Sequence, residues 1–144
     1  ELARRRRAMH EQPCTAELAA RARASLVGLA LGDALGTAVE FLKPGSFDPL
    51  TGESLIGGGK FDLLPGQWTD DTSMALCMAE ALVRSSGWDA AAALDAWVAW
   101  LDGAHLSSNG RFIDVGLSTR AALQDWKASR RAGKGGGGGE AAAV

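Results

Sequence analysis

A long proline-free run rich in alanine and leucine, from Thr15 to Phe41, constrains the fold more than any other stretch. This composition favours a helix, and Thr15 is a good first residue because its hydroxyl can cap the first turn. Three further helices are predicted, at about 71–85, 89–101 and 114–131. Strand signals are scarce, since β-branched residues are few and the chain has no tyrosine. The sequence therefore predicts an all-α fold.

Glycine recurs every four residues within this run, at Gly28, Gly32 and Gly36. Each glycine costs a helix about 1 kcal/mol relative to alanine, so three on one face predict the close approach of another backbone. Glu40 continues the same spacing at the predicted end of the helix. The spacing alone leaves two interpretations open, a functional carboxylate beside the glycines or an ordinary surface residue at a helix end.

The bulk properties exclude several classes of function. The 144 residues carry 15 lysines and arginines against 17 aspartates and glutamates, which argues against a nucleic-acid binder. No apolar run is long enough to span a membrane, and the two cysteines form neither a disulfide framework nor a zinc site, so we expect a cytoplasmic protein. We predict a polar lead-in at 1–14, a helical domain at 15–132 and a flexible glycine-rich tail at 133–144.

Two segments between the helices lack regular patterning. The glycines of "GGGKF", at 57–59, are consistent with phosphate contact, with a flap over a site or, more simply, with a flexible loop. His105 lies in a second loop without a metal-spaced partner, so we expect an exposed, isolated histidine.

The stretch "GQWTDDTSMAL" places Asp70 and Asp71 between two threonines at the start of an apolar helix. Adjacent carboxylates repel each other unless something neutralises them. Thr69 or Asp70 could cap the helix, with Asp71 in its first turn, but capping needs only one such residue. Closely spaced oxygen donors also suit Mg²⁺ or Mn²⁺. The local chemistry leaves capping and metal binding both open.

Three motifs in order resemble the ADP-ribosylglycohydrolase family. They are the "VGLALGDALGTAVE" helix motif, the "GQWTDDTSMAL" motif and the "RFIDVGLSTRAAL" segment, which together span about 24–123. The resemblance implies an orthogonal helical bundle with two Mg²⁺ or Mn²⁺ ions. It also implies hydrolysis of the glycosidic bond that joins ADP-ribose to a protein side chain or to a related small-molecule acceptor.

The resemblance also implies roles for individual residues. Metal ligands would be Thr69, Asp70 and Asp71, and catalytic acids or bases would be Glu40 and Asp114. Asp33 and Gly116 would lie in the substrate-binding region, with Asp33 ordering the loop ahead of the metal-binding helix and Gly116 packing tightly. Two ions would hold the ribose diol and orient the attacking water.

The match ends before the second group of metal ligands that the family carries. No Asp-x-Asp pair follows Asp71, so the bundle looks truncated and half of the metal shell is absent from this chain. An alternative is therefore a non-catalytic module of the same type that binds a ligand or has a structural role. Self-association would then cover its exposed apolar surface.

Overall fold

The computed structural model describes residues 15–51, 53 and 55–133 and contains four helices within them. These are α1 (Ala16–Gly36), α2 (Asp70–Arg84), α3 (Ala90–Gly103) and α4 (Leu117–Gly133). Across the described ranges the β-structure is limited to one antiparallel bridge, between Gly58 and Leu63. The all-α prediction is confirmed. The predicted lead-in at 1–14 and the tail beyond residue 133 lie outside the described residues.

Each helix packs mainly against its neighbours in the sequence, α1 on α2, α2 on α3 and α3 on α4. The core lies in the α2–α4 region, where Cys77, Trp100, Val115 and Leu123 are buried together. The Trp100 ring lies 5.1 Å from that of Phe112, measured between centroids. Trp97 of α3 is partly buried against the same cluster. By contrast α1, which is described along its whole length, buries only Ala34.

The helix starts follow from local capping chemistry at two of the four helices. The Thr15 hydroxyl accepts a hydrogen bond from the Leu18 amide at 3.2 Å, as predicted. Asp89 caps α3 in the same way through the amides of Ala91 and Ala92, at 2.9 and 3.1 Å. Thr69, at the start of α2, makes no such bond with its side chain. The cap of α2 therefore has to come from another part of the chain.

The first helix is shorter than predicted, because it ends at Gly36 rather than near Phe41. The chain continues through turns, with Val39 bonded to Gly36 and Leu42 bonded to Val39, and Phe41 has a φ of 67°. Glu40 therefore lies in a turn and does not continue the helical stripe. The composition favours a helix here, but the tertiary contacts of this segment favour turns.

Those contacts come from the loop at 57–59, which is packed and not simply flexible. All three glycines have positive φ, and a Cβ on Gly59 would lie only 2.2 Å from the carbonyl oxygen of Thr37. Glycine thus allows this loop to press against the turn that carries Glu40. A loop anchored in this way is poorly suited to act as a flap, so the flap hypothesis loses its physical basis.

The glycines of α1 do not bring another backbone close, contrary to our prediction. A Cβ on Gly28, Gly32 or Gly36 would have no heavy atom within 4 Å among the described residues. Their effect is to leave one side of α1 without side chains, and that side lines a cleft.

Alanine substitutions should separate these two uses of glycine. Gly28→Ala should raise the free energy of unfolding by about 0.5–1 kcal/mol, because alanine is the better helix former and nothing obstructs its methyl group. Gly59→Ala should lower it by about 1–3 kcal/mol, because the positive φ and the Thr37 carbonyl both oppose a Cβ. Urea unfolding of the two variants measures both changes. Equal effects of the same sign would contradict this assignment.

Candidate active site

An open cleft of about 540 Å³ lies between the C-terminal half of α1 and the N-terminus of α2. The helix α1 and the turn after it contribute the three spaced glycines, Asp33, Thr37 and Glu40, while the opposite wall is formed by Thr69, Asp70 and Asp71. The structure thus brings the first two sequence motifs to one place, although residues 41–65 separate them in the chain.

Asp33 connects the two walls of the cleft. One of its carboxylate oxygens accepts from the Thr69 hydroxyl at 2.7 Å, and the other accepts from the Thr72 hydroxyl at 2.7 Å. The amides of Thr69 and Thr72 also donate to this carboxylate, at 3.0–3.1 Å. A carboxylate from α1 therefore caps α2, which decides against the open alternative that Thr69 or Asp70 supplies the cap.

Both aspartates of the motif are consequently free of the capping role. Asp70 and Asp71 line the cleft, between two threonines that Asp33 holds from behind. Burial and the charge of Asp71 raise the pKa of Asp70, while a hydrogen bond from its own backbone amide acts in the opposite direction. The Asp70 carboxylate thus lies where ionisation is disfavoured, which is common at functional sites.

Glu40 completes a concentration of negative charge. Partial desolvation raises the pKa of Glu40, and so do four neighbouring carboxylates, those of Asp70, Asp114, Asp33 and Asp71 in decreasing order of effect. None of the ion pairs found in the described ranges involves any of these five side chains. The cleft therefore has strong negative charge that the described side chains do not neutralise.

Asp114 approaches this cluster from the segment that precedes α4. Its flanking residues, Ile113 and Val115, are buried, which fixes the segment against the core. The Asp114 backbone has a φ of 47°, and its carboxylate accepts from the Val115 amide at 2.7 Å. Gly116 is exposed and a Cβ there would meet nothing closer than 3.9 Å, so the tight packing predicted for it is absent.

The loop at 104–116 also braces the start of α2 from the outside. The Ser108 hydroxyl donates to the Trp68 carbonyl at 2.8 Å, and the Asn109 amide group donates to the side chain of Gln67 at 3.3 Å. His105, predicted to be isolated, is paired with Glu80 of α2 at 2.8 Å. The sequence pattern does not predict these contacts, because the partners lie 25 to 42 residues apart in the chain.

The donor set suits a divalent cation only in part. The oxygens of Asp70, Asp71 and Thr69 are hard donors of the kind that Mg²⁺ and Mn²⁺ prefer. Thr37 adds a buried hydroxyl that has no hydrogen-bond partner in the described part of the chain. However, no three acidic, histidine or cysteine side chains among the described residues are arranged as a metal site on their own. The chemistry of the donors fits a cation, but the shell would need further ligands.

Comparisons with known proteins agree with the motifs. The family model described as ADP-ribosylglycohydrolase matches residues 15–144. The chain is 46% identical over 106 residues to the ADP-ribosylarginine hydrolase Tri1 of Serratia proteamaculans, covering 74% of this chain and 28% of that protein. It is 36% identical to the ADP-ribosyl-[dinitrogen reductase] glycohydrolase of Rhodospirillum rubrum, covering 72% of this chain and 34% of that protein.

A solved structure described as an ADP-ribosylglycohydrolase-related protein complex matches with a TM-score of 0.58 and 38% identity. The match covers 74% of this chain and 32% of that one. The chain thus spans between 28% and 34% of the length of these relatives. No helix of the described residues has the length and hydropathy needed to cross a membrane.

The charge cluster predicts an unusual dependence of stability on pH in metal-free buffer. Because the pKa of Asp70 is raised in the folded state, its ionisation opposes folding as pH rises above the ordinary value of 3.8. Asp70→Asn should therefore raise the free energy of unfolding at pH 7, and the gain should disappear as pH falls below that value. Chemical denaturation in EDTA across this pH range measures the difference.

Glu80→Gln is a control of opposite sign. The hydrogen bond from His105 lowers the pKa of Glu80. The Glu80 carboxylate therefore stabilises the fold at pH values above its ordinary pKa of 4.5, and this contribution is lost as the pH falls. The variant should therefore be less stable than the wild type at pH 7. A loss of stability in Asp70→Asn at pH 7 would contradict the charge repulsion that we assign to the cleft.

Proposed function

The chain belongs to the ADP-ribosylglycohydrolase family, and from this premise we propose that its cleft takes part in hydrolysing the bond between ADP-ribose and an arginine side chain. Two similar proteins with 46% identity over 106 residues are named ADP-ribosylarginine hydrolase. A third relative is named as a glycohydrolase of ADP-ribosylated dinitrogen reductase, which also makes a protein the substrate. An ADP-ribosylated protein is therefore the proposed partner.

The observation that carries this proposal is the unneutralised negative charge of the cleft. Four neighbouring carboxylates act on Glu40 there, and none of the five is in an ion pair within the described ranges. A guanidinium group is cationic and presents several donors, so it would relieve this repulsion in a way that a serine hydroxyl cannot. The charge thus favours arginine as the acceptor over serine.

Divalent cations would relieve the same repulsion. We propose that Thr69, Asp70 and Asp71 hold part of the shell of Mg²⁺ or Mn²⁺, in a site for two ions whose second ligand group is not present in this chain. Such ions, when bound, supply a Lewis acid and a water of lowered pKa. The exposed position of Asp71 beside the half-buried Asp70 suits the two carboxylates to different partners.

Glu40 and Asp114 would handle the protons of the reaction. The raised pKa of Glu40 makes its carboxylate a stronger base, suited to take a proton from the attacking water or to hold the ribose. Water would supply the oxygen that bonds to the anomeric carbon as the carbon–nitrogen bond breaks. The leaving guanidine nitrogen would then take up a proton, and Asp114 is the proposed group on that side.

A second candidate function is a non-catalytic module that binds ADP-ribose or a divalent cation without hydrolysis. It is favoured by one observation, that no three acidic, histidine or cysteine side chains among the described residues are arranged as a metal site on their own. In that case the exposed apolar residues of α1, such as Leu18, Val27 and Leu31, would be covered by self-association. Light scattering of the isolated chain tests for self-association, because a monomer in solution would contradict it.

Hydrolysis is tested by measuring release of ADP-ribose from a peptide modified on arginine, in the presence of Mn²⁺. Asp70→Ala should lower the rate by at least about 100-fold. Losing a group that only supports a metal ligand costs about 10- to 100-fold, and we expect the loss of a ligand to cost more. Asp125→Ala removes an exposed carboxylate of α4 and should leave the rate unchanged. An Asp70→Ala rate equal to the wild type would refute the proposal, whereas binding without hydrolysis in the wild type would favour the module.

A further inference from the structure

The side chain of Asp33 is the most fully engaged polar group of the cleft. Its two oxygens accept from four donors, the amides and hydroxyls of Thr69 and Thr72. Both threonines are buried, at 6% and 3% exposure, so water cannot replace these bonds. Hydrogen bonds to an ionised carboxylate are roughly twice as strong as neutral ones, so the arrangement is held firmly.

This engagement has a specific effect on the hydroxyl of Thr69. A hydroxyl has one proton and two lone pairs, and at 2.7 Å the proton of Thr69 is directed to Asp33. The lone pairs of that oxygen must then point away from Asp33. Since Thr69 also lines the cleft, its oxygen is prepared to accept or to coordinate, and not to donate.

The same carboxylate fixes the two residues that Thr69 and Thr72 enclose. Asp70 and Asp71 lie between the two anchored threonines, on the first turn of α2. Their backbone cannot rotate without breaking contacts on both sides. Their carboxylates remain free of the capping bonds that residues in this position usually make, because Asp33 has taken the amides of Thr69 and Thr72.

We propose that Asp33 is a positioning residue, which turns the Thr69 oxygen and the Asp70–Asp71 pair toward a divalent cation without contacting the cation itself. The inference rests on the proposed function in one respect, that the cleft takes up such a cation. The resemblance places Asp33 in the substrate-binding region and gives it the ordering of the loop ahead of α2. The inference extends that ordering to the metal donors and excludes substrate contact, because the four donors occupy both of its oxygens.

The test is the affinity of the chain for Mn²⁺, followed by the relaxation rate of water protons, together with the free energy of unfolding. Asp33→Asn replaces one acceptor oxygen with a donor that faces donors, so Mn²⁺ affinity should fall by about 10- to 100-fold. Thr72→Val is the matched control, since it removes one 2.7 Å hydroxyl bond to the same carboxylate but keeps the amide bond of residue 72 and both contacts of Thr69, so the acidic pair stays anchored. It should lose stability and keep its Mn²⁺ affinity within a factor of about two.

A second pair of variants keeps the inference testable if Asp33→Asn does not fold. Thr69→Val removes the oriented oxygen and should lose Mn²⁺ affinity. Thr69→Ser keeps the hydroxyl and should retain the Mn²⁺ affinity of the wild type. If Asp33→Asn loses stability but binds Mn²⁺ as the wild type does, the positioning role is overturned and the proposed function stands. If Thr69→Val binds Mn²⁺ as the wild type does, the positioning role is overturned together with the place of Thr69 in the proposed metal shell. If the wild type itself takes up no Mn²⁺, the metal site of the proposed function is refuted, and the positioning role with it.

Discussion

The carboxylate of Asp33 joins the end of one helix to the beginning of another, and the remainder of the cleft depends on this contact. An isolated helix leaves its first amides without partners, and most helices satisfy them with a side chain from the preceding residue. Here the partner comes from α1, so the start of α2 is stable only when the two helices are docked. Local capping and tertiary packing are thus the same interaction.

Because that cap is supplied from outside, the acidic pair at the start of α2 can serve another purpose. Its carboxylates share an open cleft with Glu40. Burial and neighbouring negative charge, including that of Asp114, raise the pKa of Glu40 and of Asp70. A fold gains nothing from such repulsion in the absence of a ligand. The cationic ligand that we propose, either a divalent ion or the guanidinium of a modified arginine, would relieve this repulsion. The repulsion between these carboxylates thus opposes folding without a ligand and favours binding of the proposed cation.

The sequence was informative where the physical signal is local. Composition and the cap at Thr15 predicted the helices to within a few residues, with the end of α1 as the main exception. The end of α1 was predicted too late because the close contact between Gly59 and Thr37 is a tertiary contact, which no local sequence pattern reveals. The predicted approach of another backbone to the glycines of α1 was wrong for the same reason. The glycine spacing shows that one side of the helix has no side chains, but it does not show which part of the chain lies next to that side. The grouping of Asp33, Asp70 and Glu40 came from family resemblance, and the hydrogen bonds of Asp33 required coordinates.

The account predicts that divalent cations collect at the first turn of α2, on oxygens that Asp33 has oriented. The most direct measurement is an anomalous difference map from a crystal of the chain soaked in Mn²⁺. We expect a peak in the cleft, in contact with the carboxylates of Asp70 and Asp71 and with the Thr69 oxygen. A map with no peak there, or with Mn²⁺ only at the exposed pair of Glu80 and His105, would contradict the central claim.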